Sequence, residues 1–386
     1  MAFICISGKL VALLFNNELN SVNDCIPCDN PLIVLQKCKK AVKCWLWAGI
    51  FLVTLMVVIG GITRLTESGL SIVRWKVVSG IIPPFSEKHW KEAFEDYKLF
   101  PGYQKLNSTM TLIGFKRIFW WEYIHRLVGR ITGIVFIAPF VFFLVKKKFP
   151  AWLIKRLIVI LFLGLTQGIM GWIMVKSGLH DNPHVSHYRL AMHLCLALLL
   201  IAAILWTILE LDLSKPVKKP HREKMNLALP QLCLLLIFLQ IISGAFVAGL
   251  KAGFSYNTFP LMGDELLPAH AFNSTKIFFE NGALMQFTHR WFAWIVTGTI
   301  FTLWLKTRTN NFHDRVRFYV NIILLLTMLQ VFAGIATLVW RVPLMLGILH
   351  QLVAVLLFGL VVVIIFHFKY NPSTCSGAFL KEPYET

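Results

Sequence analysis

Trp121-Glu-Tyr-Ile-His-Arg126 opens an apolar run that continues to residue 145, and this run decides how the chain folds. It covers 119–145, which is longer than the ~20 residues that a helix needs to cross a bilayer. Ionisable side chains inside such a run are costly, and those that occur usually serve a function. The stretch therefore predicts a membrane-spanning helix with a reactive or ligand-binding site near its first turns.

The composition of the whole chain agrees with a membrane protein. Of its 386 residues, 57% are hydrophobic and 15% are charged, whereas a soluble domain has about 25% charged residues. This excludes a disordered chain and an ordinary soluble enzyme. The net charge is +19, which in a membrane protein reflects basic loops beside lipid headgroups, so we expect membrane lipid and no nucleic acid as its surroundings.

Seven further apolar runs are long enough to cross a bilayer. Together they predict an all-α polytopic membrane protein with eight transmembrane helices. The predicted spans are 44–63, 119–145, 151–175, 188–211, 228–250, 284–305, 317–340 and 343–368.

Basic residues predict how these spans are oriented. They cluster before the first span and after the second, fourth and sixth, and the short loops at the opposite ends hold few, so the clustered side is cytoplasmic. Both termini then lie in the cytoplasm. The clusters are Lys37, Lys39, Lys40 and Lys43; Lys146, Lys147, Lys148, Lys155 and Arg156; Lys215, Lys218, Lys219, Arg222 and Lys224; and Lys306, Arg308, Arg315 and Arg317.

The segments outside the spans are assigned to the same compartment. We expect a loosely ordered cytoplasmic extension at 1–43, a cytoplasmic linker at 212–227 and a cytoplasmic tail at 369–386. The extension has no signal-peptide pattern and lacks the Arg-rich, acid-poor character of a transit peptide. This favours a bacterial cell inner membrane, with the mitochondrial inner membrane as the alternative.

The chain also repeats itself. Leu284-Met-Gln-Phe-Thr-His-Arg290 echoes 121–126, and Met328-Leu-Gln-Val-Phe-Ala-Gly334 echoes 165–171. A third match relates Gly60 and Gly69-Leu-Ser71 to the segment 244–255. The offsets are 164, 163 and 184 residues. We therefore expect two four-helix bundles, 44–211 and 228–368, arranged as a parallel repeat.

Four histidines lie near the outer ends of alternate spans: His125, His193, His289 and His350. Each is within about seven residues of its predicted span start, which is roughly 10 Å of helix. Two facing helices with one imidazole each at matched depth can supply both axial ligands of a haem iron. The repeat then predicts two such sites. Zinc fits less well, and a packing role remains open for any single histidine.

The two sites differ in one acidic residue. Glu122 precedes His125 by three residues and shares its helix face, whereas the matching residue of the second half is Gln286. This indicates one reactive site and one electron-transfer site; a structural pairing of Glu122 with an arginine is the alternative. Arg126 and Arg290 follow the histidines and are candidates for haem propionate partners, or for anchors at the membrane surface.

The motifs resemble those of the haem A synthase family, in the type shared by proteobacteria and mitochondria. The resemblance covers about 44–368. It rests on Gly60-Gly-Ile-Thr-Arg-Leu-Thr-Glu-Ser-Gly-Leu-Ser71, Trp75, Pro83-Pro84, Glu122-Tyr-Ile-His-Arg126, His187-Tyr-Arg-Leu-Ala-Met-His193, Ala248-Gly-Leu-Lys-Ala-Gly253, Asn257-Thr-Phe-Pro-Leu-Met-Gly263, Gln286-Phe-Thr-His-Arg290 and Leu349-His-Gln351.

This resemblance implies an oxidoreductase that converts the C8 methyl group of haem O into a formyl group by two hydroxylations. The product is haem A for cytochrome oxidase. The resemblance assigns His125 and His193 to the substrate haem, and His289 and His350 to a haem b cofactor. It makes Glu122 the catalytic carboxylate and implies haem O synthase as a partner.

A mechanism with a disulfide in the outer loops, which some bacterial relatives use, does not carry over. The chain has no cysteine at 45–194 or 234–374. The Gly-rich outer segments 63–84 and 249–260 are expected to cap the haem edges and admit the substrate, with ordinary outer turns as the alternative.

Two other functions remain open from the sequence. One is a dihaem cytochrome b-type transmembrane electron carrier, and the other is a haem transporter or chaperone. The sequence also leaves open the electron acceptor and whether the protein forms a homo-oligomer.

Overall fold

A computed structural model describes residues 31–74, 82–147, 149–179, 184–212, 227–266, 278–309, 312 and 314–370. In these ranges the chain forms nine α-helices, joined by short 3₁₀ and π-helical turns. The helices are α1 Pro31–Leu65, α2 Glu87–Lys98, α3 Leu112–Val145, α4 Ala151–Gly178, α5 His187–Asp212, α6 Ala228–Gly249, α7 Gly282–Thr309, α8 Asp314–Val339 and α9 Leu344–Tyr370.

Among the described residues, seven helices are long and apolar enough to cross a membrane: α1, α3, α4, α5, α6, α8 and α9. They confirm an all-helical, multi-pass membrane protein. The predicted sixth span corresponds to α7, which has the length, 28 residues, but is not among the seven. Its sequence explains why, because Gln286, His289, Arg290 and several threonines interrupt the apolar residues.

Two helices begin earlier than their predicted spans. Helix α1 starts at Pro31 rather than 44, so the last part of the predicted cytoplasmic extension is helical rather than loosely ordered. Helix α3 starts at Leu112 rather than 119, after Thr111 caps its first turn by accepting a hydrogen bond from the Gly114 amide. His125 therefore lies one to two turns further from its helix start than the other three histidines do.

Several predicted features lie outside the described residues. They are residues 1–30 of the N-terminal extension, Trp75, the linker apart from its two end residues, and nearly all of the C-terminal tail.

Each half of the chain packs its four long helices in the same order. In the first half, α1 contacts α3, α3 contacts α4, α4 contacts α5, and α5 returns to α1. In the second half the corresponding sequence is α6, α7, α8, α9 and back to α6. The two halves meet where α5 contacts both α6 and α9, and where α9 contacts α1.

The largest buried apolar cluster lies away from the histidines. It includes Trp45, Leu157, Ile208, Ile300 and Val361, each less than 2% exposed. Ion pairs join helix ends at this side of the molecule: Lys43 with Asp212, and Arg156 with Glu210 at 2.8 Å. The apolar core thus fills one end of the helices and leaves the opposite end for polar side chains.

The long loop after α1 carries a helix that the sequence analysis did not predict. Helix α2 packs on the first turns of α3 through an aromatic cluster that includes Trp90, Tyr97, Phe115 and Phe119. Burial raises the pKa of the Tyr97 hydroxyl, which accepts a hydrogen bond from the Asn107 amide. This cluster holds the loop against the helix that carries Glu122 and His125.

Candidate functional site

Each of the four histidines faces a glycine on the preceding long helix. A Cβ atom on Gly60 would lie 3.4 Å from His125 Nε2, and one on Gly244 would lie 3.0 Å from His289 Cε1. The corresponding distances to Cε1 are 3.2 Å for Gly171 with His193 and 2.8 Å for Gly334 with His350. The glycines that repeat in the sequence therefore leave space for the imidazoles. The sequence alone did not predict this role for them.

The second histidine pair has the separation that a shared metal requires. The ring centroids of His289 and His350 are 6.3 Å apart, and the rings are inclined by 79°. Two imidazoles that bind one metal from opposite sides at lengths of about 2 Å have centroids roughly 6 Å apart. The structure brings the two predicted ligands of α7 and α9 together at a distance that suits axial ligation of a haem iron.

In the first pair, His125 packs against Gly60 and His193 against Gly171. The ring nitrogens of His193 make few hydrogen bonds with the described part of the protein. Nδ1 of His193 is buried without a hydrogen-bond partner in the described part of the chain. Nε2 of His193 lies 3.4 Å from the Gln167 amide nitrogen.

Buried polar atoms without partners gather around both pairs. In the described residues they include the side-chain oxygens of Gln167, Gln240, Gln286 and Gln330. Since buried polar groups normally have hydrogen-bond partners, these atoms fit a further polar group bound between the helices. These oxygens are acceptors, as haem propionates are, so it is the two pairs of imidazoles that suit haem.

Glu122 is buried, at 2% exposure, and its carboxylate ties the outer segment after α1 to α3. Oε2 accepts hydrogen bonds from the Ser71 amide at 2.6 Å, the Ser71 hydroxyl at 2.7 Å and the Ile72 amide at 2.9 Å. Oε1 pairs with Arg126. The pairing of Glu122 with an arginine, one of the two readings of the sequence, is thus present, and three loop donors accompany it.

The second half repeats this arrangement without the negative charge. Gln286 donates to the Tyr256 carbonyl at 3.1 Å, and Arg290 donates to the same carbonyl at 2.6 Å. Arg126 likewise donates to the Ile72 carbonyl at 3.0 Å. Ile72 and Tyr256 are 184 residues apart, which is the offset of the sequence repeat in this region.

The contacts of the two arginines with outer-loop carbonyls were not predicted. Arg126 spans Glu122 and the loop carbonyl, and Arg290 also donates to the carbonyls of Thr258 and Leu261. Arg290 Nε is buried without a partner in the described residues. Both side chains hold the outer segments over the histidine pairs.

Two contacts join the outer ends of the halves. Lys251 forms an ion pair with Glu67, and Arg64 donates to the Ala248 carbonyl. Glu67 and Lys251 are themselves related by the offset of 184, and both have φ 54°. The same turn therefore occurs in each half, and the two turns contact each other.

Comparisons with known proteins identify relatives over most of the chain. A family model described as COX15-CtaA, cytochrome oxidase assembly protein, matches residues 43–362. A protein named heme A synthase from Nitrosospira multiformis is 44% identical over 328 residues, which are 83% of this chain and 91% of the relative.

Similar proteins of the same name occur in other bacteria. The one from Flavobacterium psychrophilum is 44% identical over 83% of this chain and 96% of its own length. The one from Orientia tsutsugamushi is 41% identical over 81% of this chain and 92% of its own length.

Proposed function

The chain belongs to the COX15-CtaA family of haem A synthases, and from this premise we propose that its two histidine pairs serve two different haems. The chain is an oxidoreductase that acts on haem O. We assign the substrate to His125 and His193 and a haem b cofactor to His289 and His350. The observation that carries this division is the buried carboxylate of Glu122 beside the first pair, where the second pair has Gln286.

His289 and His350 would hold haem b between α7 and α9. The centroid separation of 6.3 Å supports this assignment. Haem b would supply one-electron chemistry at this site. The chain's own contribution is to fix the two imidazoles and to exclude water with the apolar helix faces around them.

At the first pair, the protein positions the substrate beside a fixed negative charge. The sequence left two roles for Glu122, stabilisation of positive charge at the oxidised methyl carbon or acceptance of a proton. Four donors already surround the carboxylate and occupy both of its oxygens, which leaves no free oxygen to take a proton from the substrate. We therefore favour electrostatic stabilisation. The product, after two hydroxylations of the C8 methyl group, is the formyl group of haem A.

We further propose that α7 crosses the membrane and completes eight spans in two parallel four-helix bundles. The cyclic packing of α1, α3, α4 and α5, and of α6, α7, α8 and α9, supports this arrangement. Ion pairs between basic helix ends and the end of α5 agree with a cytoplasmic side that carries both termini. The histidine pairs then lie near the opposite face of a bacterial inner membrane.

Haem O is poorly soluble in water, so direct transfer from haem O synthase is the proposed route of substrate delivery. The propionates of each haem are the proposed partners of Arg126 and Arg290. The buried, unpartnered Nε of Arg290 supports this role in the second half.

The test is to express the chain with a haem O synthase and to separate the extracted haems. The wild type should accumulate haem A and retain haem b. Glu122→Gln should lower haem A by about 100-fold or more, since it removes a charge placed beside the reacting group. Haem b content should not change, because Glu122 lies in the other half.

Two variants separate charge from loop anchoring. Ser71→Ala removes one donor to Glu122 but leaves the charge, so its haem A yield should fall much less. Gln286→Glu adds a carboxylate to the second half and should not create a second reactive site. Normal haem A formation by Glu122→Gln would contradict the role of the carboxylate, and haem O without haem A in the wild type would contradict the function.

A further inference from the structure

His289 is held by a hydroxyl group that has no counterpart at His125. Ser243 Oγ lies 2.8 Å from His289 Nδ1, and the same hydroxyl donates to the Gln240 carbonyl at 2.8 Å. The Gln240 amide in turn donates to the His289 carbonyl at 2.9 Å. One turn of α6 thus contacts both the ring and the backbone of this histidine.

Two side chains of α6 reach Nδ1 of His289: Ser243 Oγ at 2.8 Å, and the Gln240 amide nitrogen at 3.2 Å, which donates to the His289 carbonyl. A serine hydroxyl has one hydrogen, and we take Ser243 to direct it toward the Gln240 carbonyl, 2.8 Å away. Its oxygen therefore accepts from Nδ1–H of His289, which leaves Nε2 with a free lone pair. A neutral imidazole with this tautomer is ready to bind iron through Nε2.

The first half has apolar residues at the same positions. The offset of 184 that relates Gly60 to Gly244 places Met56 and Ile59 where the second half has Gln240 and Ser243. Neither apolar side chain can hydrogen-bond an imidazole N–H in the way that a hydroxyl does. In the described part of the chain, His125 has no hydrogen-bond partner for its ring.

The other two histidines show the same difference between the halves, since Nδ1 has a partner in the second half and none in the described part of the first. His350 Nδ1 lies 3.2 Å from the Gln330 carbonyl, to which it can only donate. His193 Nδ1 is buried without a partner among the described residues, although Gln167 corresponds to Gln330. Both imidazoles of the second pair are therefore fixed through Nδ1, and neither imidazole of the first pair is.

We propose that Ser243 and Gln240 are positioning residues that make His289 a permanent haem ligand, whereas Ile59 and Met56 leave His125 exchangeable. A hydrogen bond from the second ring nitrogen fixes the orientation of a metal-bound imidazole and raises its basicity. A resident cofactor requires such ligation, and a substrate that must enter, react and leave requires weaker ligation. This inference rests on the proposed function, because it assumes haem at both pairs.

The first test measures how firmly purified protein holds haem b. Ser243→Ala should release haem b to an excess of apomyoglobin about 10- to 100-fold faster than the wild type, which is the usual effect of removing an outer partner of a metal ligand. Its reduction potential, followed by absorbance in a redox titration, should rise, because a less basic ligand stabilises the ferric state less. Ser243→Thr keeps the hydroxyl and should restore both properties.

Thr297→Val is the matched control, since among the described residues this α7 hydroxyl bonds only to the Ala293 carbonyl of its own helix. It should leave haem release unchanged. A wild-type release rate and potential in Ser243→Ala would overturn the proposal. Loss of all haem b in His289→Ala, with no effect of Ser243→Ala, would keep the proposed function and reject only this inference.

The reciprocal test places the hydroxyl in the first half. Ile59→Ser combined with Met56→Gln should slow the dissociation of added haem O by about tenfold and lower its KM and turnover together. Ile59→Ala combined with Met56→Leu gives side chains of similar size without adding a hydrogen-bonding group, and it should not retain haem O more tightly. Equal dissociation rates in the two double variants would contradict an exchangeable His125.

Discussion

The two halves of the chain use one framework for two different sites. In both, a histidine packs against a glycine, a glutamine amide approaches a second histidine, and an arginine holds an outer loop by its backbone carbonyl. The first half places a carboxylate against the loop amides, and among the described residues nothing hydrogen-bonds Nδ1 of its imidazoles. The second half places a neutral amide there and fixes both imidazoles.

This difference indicates how a duplicated bundle can divide a reaction. A loosely held pair beside a fixed negative charge suits a substrate that is exchanged at each turnover. A firmly held pair beside a neutral side chain suits a cofactor that stays. Because the helices of both halves pack in the same order, a few side chains at equivalent positions are enough to separate the two roles.

Replacing one predicted haem ligand in each half should have the largest effect, and the effect should differ between the halves. His289→Ala should abolish haem b binding, because one axial ligand of the resident haem is lost. His125→Ala should keep haem b but lower haem A formation by about tenfold or more. Pyridine haemochrome spectra and extracted haems measure the two effects. His89→Ala, on the exposed face of α2, is the control and should resemble the wild type. Loss of haem b in His125→Ala alone would show that the halves are reversed.

Replacing the glycines that face the histidines should have a smaller effect, whose size depends on the distance from the added Cβ to the ring. An alanine Cβ at position 334 would meet His350 Cε1 at 2.8 Å, whereas one at position 60 would meet His125 at 3.4 Å. Gly334→Ala should therefore displace its histidine, lower haem b content and cost about 1–3 kcal/mol of stability. Gly60→Ala should change little.

Gly298→Ala is the control for these variants, because no atom lies within 4 Å of its Cβ position. It should be neutral or slightly stabilising, since alanine favours a helix more than glycine does. Thermal unfolding and haem b content are the measurements. Equal losses in Gly334→Ala and Gly298→Ala would rule out the contact with His350 as the cause.

The smallest effect is expected where the halves contact each other at the outer surface. Glu67 and Lys251 form an ion pair with side chains 49% and 36% exposed. Such a pair contributes about 0.2–1 kcal/mol. Lys251→Ala should lower the thermal unfolding temperature only slightly, and Lys251→Ala with Glu67→Ala should be no worse. A large loss of haem from either half would show that this contact controls the sites rather than the surface alone.

Much of the site could be read from local patterns. The four histidines, the Glu122–Gln286 difference and the repeated glycines are visible because helices bring residues three or four apart onto one face. The seven confirmed spans follow from length and apolarity. Helix α7 shows the limit of that reasoning, because its polar residues face the site and lower its apolarity.

The contacts that distinguish the two pairs were not predictable in the same way. Ser71 and Glu122 are 51 residues apart, and Ser243 and His289 are 46 apart. Whether such residues meet depends on the rotation of one helix against another and on the path of an outer loop. Sequence periodicity specifies which face of a helix is apolar, but not which atom of that face touches a neighbour.

By itself, the sequence determined the family through its motifs, and it determined the all-helical membrane fold and the four histidines through apolar length and spacing along each helix. Only the tertiary structure decided that Glu122 accepts from a loop, that glycines make room for the imidazoles, and that Ser243 contacts His289. These contacts join separate segments, and the packing of the helices sets their distances.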